Sequence, residues 1–161
     1  MNGSSPVPER RGFVQSRPTL RETSSMIALD TNIWIYSHDT RYSEKQRQSQ
    51  ELIRSADPLV LLWQVGCEFI AASRKLEPFG FSQEDAWTAL VDMCEMADAV
   101  FMPEPELWPD ARSLQQRFGL SFWDALIVAA CQRAGVRTSY SEDFANSRTL
   151  DGLAVINPYA E

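Results

Sequence analysis

Residues 26–32 read Met26-Ile-Ala-Leu-Asp30-Thr31-Asn32. Four apolar residues run straight into a carboxylate, the pattern of a short buried strand that ends where the chain meets solvent or a site. The pattern recurs downstream. Leu59–Leu62, Ala99–Met102 and Leu153–Ile156 are apolar runs of strand length, the last stopped by Asn157-Pro158, and Val136–Tyr140 reads as a further strand after Gly135. Helical patterns lie between them. Asn32–Tyr36 predicts a short helix, and Ser43–Ala56 becomes helical at Leu52, Ile53 and Ala56. Trp63–Lys75 predicts a largely buried helix. Ser82–Ala97 carries Ala86, Leu90, Val91, Cys94 and Ala97 on one stripe, behind a Ser82 cap with acids near the helix start. Glu104–Phe118 predicts an amphipathic helix ended by Gly119, and Phe122–Ala134 a central helix apolar nearly all round. Strands alternating with helices imply an α/β fold with a central, mostly parallel sheet of four to five strands and helices on both faces. Sites in such sheets form beyond the carboxyl ends of the strands.

The chain has 161 residues, 44% hydrophobic and 23% charged, which suits one globular domain. No stretch has the roughly 18 to 20 consecutive apolar residues of a membrane span. Residues 1–25 differ from the rest. They hold Pro6, Pro8 and Pro18, four arginines against two acids, and no apolar periodicity or secretory signal pattern. They read as a disordered or mis-started tail, with Met26 a candidate true start of a domain spanning 26–161. That domain keeps 11 of the 15 basic and 20 of the 22 acidic residues, a net charge of −9. It has no global basic footprint for nucleic acid, so action on a polyanion requires a local basic rim or a bound cation.

One histidine, His38, excludes a His-rich zinc site, and three cysteines (Cys67, Cys94, Cys131) are too few for a four-cysteine site. Their apolar or helical settings suggest buried thiols in a reducing, cytoplasmic compartment. Carboxylates are in surplus, and four stand in apolar surroundings. Asp30 closes the first strand, and Asp143 follows the fourth. Glu68 lies inside Trp63-Gln-Val-Gly-Cys-Glu-Phe-Ile-Ala-Ala72, and Asp124 is the only charge between Gly119 and Arg133. Each has a bland explanation: Asp30 and Asp124 as helix caps, Glu68 on a narrow polar stripe, Asp143 in a turn. Together they suit a hard cation, because a buried carboxylate must be paired or bind metal.

These segments resemble the motifs of the PIN-domain nucleases, especially VapC-type toxins. The resemblance rests on Met26–Asn32, on Cys67-Glu68-Phe69 with Arg74-Lys75, on Ser121-Phe-Trp-Asp124-Ala125-Leu126-Ile127, and on Ser141-Glu142-Asp143-Phe144 before Gly152–Pro158. It spans Met26 to about Tyr159. It implies a PIN-like three-layer α/β/α domain and a Mg2+- or Mn2+-dependent RNA endonuclease, the toxin of a toxin–antitoxin pair. By motif match, Asp30, Glu68, Asp124 and Asp143 are the catalytic acids. Asp30, Asp124 and Asp143 hold the metal, with Glu68 reaching it directly or through water, and Thr31, Asn32 and Glu142 give support. The implied partners are an RNA substrate, a small antitoxin and a second copy of the chain, with no membrane.

Arg74, Lys75, Arg112 and Arg117 are candidates for a phosphate-contacting rim. Trp34, Trp63 and Trp108 are large enough to anchor a partner groove, although core packing is the better reading for Trp63. Two rival functions remain. A non-catalytic binding module could keep the same acids. A haloacid-dehalogenase-type phosphatase needs a second Asp two residues after the first, where this chain has Asn32.

Overall fold

The computed structural model describes residues 25–144 and 147–160. The tail read from the sequence therefore lies almost wholly outside the described residues. Strands β1 (Met26–Leu29), β2 (Leu59–Leu62), β3 (Ala99–Phe101), β4 (Val136–Tyr140), β5 (Arg148–Leu150) and β6 (Leu153–Ile156) form one sheet in the order β3-β2-β1-β4-β6-β5. Every neighbouring pair is parallel except β5 with β6. Helices α1 (Thr31–His38), α2 (Ser43–Ser55), α3 (Trp63–Ser73), α4 (Gln83–Met96), α5 (Leu107–Phe118) and α6 (Phe122–Arg133) complete a three-layer α/β/α domain.

β1 is the hinge of this topology. From it the chain steps outward through β2 to β3, then returns to β4 on the other side. The gap beyond the carboxyl ends of β1 and β4 is thus a topological switch point, the usual place for a site in an open parallel sheet. Its floor is held in register by Leu29 opposite Tyr140 and by Asp30 N–H donating to the Tyr140 carbonyl at 2.9 Å.

The core follows from the apolar runs. All four residues of β2 are buried, as are Ala28 and Leu29 of β1. Ile33, Trp34, Val65 and Phe69 pack from α1 and α3, and Val128, Ala129 and Cys131 from α6. Burying a side chain of the size of Ile33 or Phe69 stabilises the fold by about 1.5–3 kcal/mol. Local signals set the helix ends. Ser82 and Asp85 form a reciprocal capping box at α4, and Ser121 accepts from Asp124 N–H at α6. Gly119 ends α5 at φ 68°, a left-handed position that glycine adopts without strain. Among the described residues no helix is long and apolar enough to cross a membrane.

Several expectations are corrected. The sheet has six strands rather than four to five, because Arg148–Leu150 adds a short antiparallel edge strand. Two of its three residues are exposed, so it has no apolar run to reveal it. α3 stops at Ser73, and Arg74–Phe79, with Pro78 inside, forms a 3-10 turn instead of more helix. α5 starts at Leu107, beyond Pro103 and Pro105. α6 is not buried all round, since Phe122 and Trp123 are exposed. Of the three thiols only Cys131 is buried; Cys67 and Cys94 lie on outer helical faces. Trp34 is a core residue and cannot anchor a partner, whereas Trp63 and Trp108 are exposed. For α6, Cys67 and Cys94, local apolar context was taken for burial, although the face of the helix decides it.

Candidate active site

The site is assembled from four places in the chain. Asp30 leaves β1 and caps α1, its Oδ1 accepting from Thr31 N–H at 2.7 Å. Its Oδ2 accepts from the Ser141 hydroxyl at 2.6 Å, across the β1–β4 gap. Asp30 is only 7% exposed. Burial is the main reason its carboxyl is pushed up to about 6; the hydrogen bonds from Ser141 and Thr31 pull it down, and the nearby Asp143 charge adds to the rise.

Glu68 stands on α3, half-buried, with both oxygens engaged. Oε2 accepts from the Thr31 hydroxyl at 2.8 Å, and Oε1 from the Gln64 amide at 2.6 Å. Asp124 sits in the first turn of α6, its Oδ2 accepting from the Ser121 hydroxyl at 2.6 Å. Its capping role and its place in the site therefore coexist. Asp143 follows β4. Its Oδ1 accepts from the Asn32 amide at 3.2 Å, and its backbone N–H donates to the Ser141 hydroxyl at 3.2 Å.

Asp30, Glu68, Asp124 and Asp143 all line one cleft, with Trp123, Ser141 and Phe144 among its other walls. Among the described residues no basic side chain lines it. Thr31 and Asn32 act as struts, one for Glu68 and one for Asp143. Glu142 is turned away. It forms an ion pair with Lys45 of α2, which also lies over the rings of Tyr36 and Tyr159 at 4.3 and 5.0 Å.

The acids share the cleft without enclosing a point. Among the described residues, no three His, Cys, Asp or Glu side chains draw close enough to hold an ion. Like charges gathered in one cleft repel one another, and the Asp143 charge is one of the causes that raise the Asp30 carboxyl. The donor set nevertheless fits a hard cation. It is all oxygen, one member is buried, and no cationic side chain among the described residues lines the cleft with it.

None of the four basic residues considered for a phosphate rim lines the cleft. Arg117 holds Asp151 in a two-pronged ion pair at 2.6 and 2.7 Å, and Arg74 lies 3.9 Å from Glu77. Sequence reasoning gave no role to Ser141, Gln64 or Trp123. Ser141 carried a usable signal, a hydroxyl at the carboxyl end of a central strand.

A family model of the PIN domain matches residues 27–146. No curated protein gives a sequence match. Solved structures share the fold. VapC20 of Mycobacterium tuberculosis, a toxin described as cleaving the sarcin–ricin loop, superposes with a TM-score of 0.54 at 18% identity, over 74% of this chain and 92% of its own. A chain of a toxin–antitoxin complex from Klebsiella pneumoniae gives 0.59 at 16% identity, over 84% and 98%. A chain of VapBC2 from Rickettsia felis, solved on a DNA fragment from its promoter, gives 0.55 at 16%, over 82% and 98%.

Proposed function

The chain belongs to the PIN-domain family, and on that premise we propose that it is a Mg2+- or Mn2+-dependent endoribonuclease, the toxin of a toxin–antitoxin pair. One observation carries this reading: four carboxylates from four separate chain segments line a single cleft that has no cation from the described residues in its walls. Repulsion makes such an arrangement costly in a metal-free fold, so it points to a ligand that repays it. The toxins among the structural neighbours support the biological setting.

Asp30, Asp124 and Asp143 would hold the metal. Bound there, it supplies a more acidic attacking water and charge neutralisation at the phosphate. The protein's own contribution is positioning. Ser141 fixes Asp30, Asn32 steadies Asp143, and Thr31 with Gln64 aims Glu68. Glu68 has its oxygens at the cleft wall, suited to orient a water or to take its proton. Asp30, desolvated at the base of the cleft, binds a cation more strongly than an exposed carboxylate would, because little water competes there.

The partners follow from the same chemistry. A small antitoxin that places an arginine or lysine among the acids would block the cleft. The exposed Trp63, Trp87 and Trp108 offer apolar area for that protein or for a second copy of the chain. RNA as substrate places the activity in the cytoplasm.

The test is RNA cleavage by purified protein with added Mg2+ or Mn2+. Cleavage that stops with excess chelator and in Asp124→Asn supports the proposal. Full activity in chelator, or no cleavage with RNA binding kept, sinks it; the second outcome leaves a binding module. Growth arrest on expression, relieved by a small protein from the adjacent reading frame, would establish the toxin role.

A further inference from the structure

A second cavity is lined by residues of α1, α2 and α4 and shares none of them with the acidic cleft. Ile53, Ala89, Met93 and Met96 give it apolar walls, and Trp34 of α1 stands among them. Its volume is about 220 Å3. A cavity of roughly 150 Å3 already admits benzene, so a substituted ring fits here.

One group in this wall is unfinished. Trp34 is 1% exposed, and its indole N–H has no hydrogen-bond partner among the described residues. The polar groups around it are engaged. The Ser37 hydroxyl donates to the Trp34 carbonyl at 2.7 Å, and the Gln50 amide donates to the Ser37 carbonyl at 2.9 Å. A buried donor left unpaired is costly, and an indole N–H can only donate. The group that completes it is an acceptor.

The cavity carries no net charge. Arg54 and Asp92 both line it, both are exposed, and neither forms an ion pair among the described residues. His38 also lines it. Burial holds this imidazole below its ordinary value, against the pull of Asp92 and Asp85, so it is neutral at pH 7.

We infer that this cavity is a binding site for a small, uncharged ring compound bearing a carbonyl, with the carbonyl oxygen accepting from Trp34 Nε1 and the ring lying against Ile53, Ala89 and Met93. The assignment does not depend on the nuclease reading. A hydrocarbon of the same shape would leave the indole unpaired. A hydroxyl would bring a donor that needs a partner of its own. A carboxylate drawn to Arg54 would lie beside Asp92, and an ammonium drawn to Asp92 would lie beside Arg54. Methionines at two places in the wall suit a ring, since they reshape easily and make favourable sulfur–aromatic contacts.

The test uses the full chain and three probes of one size: acetophenone, ethylbenzene, which lacks the oxygen, and benzoate, which is charged. The readout is the Trp34 indole N–H in a nitrogen–proton correlation spectrum. The other four tryptophans are exposed, so the Trp34 N–H is the one that exchanges slowest in deuterium oxide. Acetophenone should move that proton downfield and saturate at or below about millimolar concentration. It should also raise the melting temperature as its concentration rises. Ethylbenzene should give no downfield movement, and benzoate should bind about tenfold more weakly or worse, because burying a charge is costly. Trp34→Phe removes the donor and should abolish the preference for the ketone. Ala89→Leu keeps the indole but fills the space, and should weaken acetophenone binding about tenfold or more with the circular dichroism spectrum unchanged. If millimolar acetophenone leaves the Trp34 N–H where it was, or if folded Ala89→Leu binds it as wild type does, the site assignment is wrong. If benzoate binds more tightly than acetophenone, the assigned ligand class is wrong.

Discussion

The Ser141 hydroxyl donates to Asp30 Oδ2 at 2.6 Å and accepts from the backbone N–H of Asp143 at 3.2 Å. One buried oxygen thus joins the end of β1 to the turn after β4 and sets the spacing of the first and last acids. The bond also favours the ionised form of Asp30, against the desolvation that pushes its carboxyl up to about 6. Ser141→Ala should raise the Asp30 carboxyl further, since a hydrogen bond to a charged group is worth about 1.5–3 kcal/mol. The acid limb of the pH–rate profile should move to higher pH, and activity at neutral pH should fall roughly tenfold. An unmoved acid limb would mean that Asp30 does not govern it.

Asp30→Asn should abolish cleavage and yet stabilise the metal-free protein at pH 7. The folded carboxyl titrates about 6, above its ordinary 3.8. A raised value means that folding favours the protonated form. The contribution to stability is therefore full below 3.8 and is lost as the pH rises through about 6. At pH 7 the ionised, buried carboxylate is a liability of at most about 3 kcal/mol. In chelator, Asn at this position should raise the melting temperature at pH 7 and flatten its change between pH 5 and 7. A lower melting temperature at pH 7 would show that the carboxylate is structural. Added Mg2+ should narrow the gap by stabilising wild type only.

Glu142 and Asp143 are neighbours with different surroundings. Asp143 lines the cleft and Glu142 pairs with Lys45. Asp143→Asn should cost activity by several orders of magnitude with little change in fold. Glu142→Gln should leave activity within a few-fold, because a partly exposed ion pair contributes about 0–1 kcal/mol. Measured turnover of the two variants decides the assignment, and equal losses would overturn it.

Strands β1, β2, β3 and β6 were legible as short apolar runs, and the four acids were legible because two follow strands and two interrupt apolar helices. β5 was missed, although a signal was present. Asp151-Gly152 between Leu150 and Leu153 is a two-residue hairpin turn with φ of 48° and 86°, and Asp-Gly is the pair such turns favour. The polar residues Arg148 and Thr149 hid it. Trp34 and Trp63 were misjudged for a different reason. Both belong to apolar segments, and only the packing of α1 and α3 shows that one faces inward and the other outward. Ser141 was read as part of a motif but given no role of its own, because that role depends on the pairing of β1 with β4, a relationship between residues 111 positions apart.

β1 lies at the centre of the folded sheet. Met26–Leu29 pairs with β2 on one side and β4 on the other, and every residue of the run is at least half-buried. Removing it would split the sheet at its centre and take away Ala28 and Leu29 from the core. It would also displace Asp30, whose backbone N–H is held by Tyr140. We therefore expect a chain starting at residue 30 to be unfolded by circular dichroism, whatever metal is added. A chain starting at Met26 should differ from the full protein in neither melting temperature nor RNA cleavage, because the first 25 residues carry no apolar periodicity with which to dock on the domain. The competing possibility is that the four arginines of the first 25 residues hold RNA against the net-negative domain. It predicts weaker RNA binding at low salt for the shortened chain and a shallower slope of log K against log salt. Identical salt slopes for the two proteins would dismiss that arm, and a slope shallower by two or more would establish it.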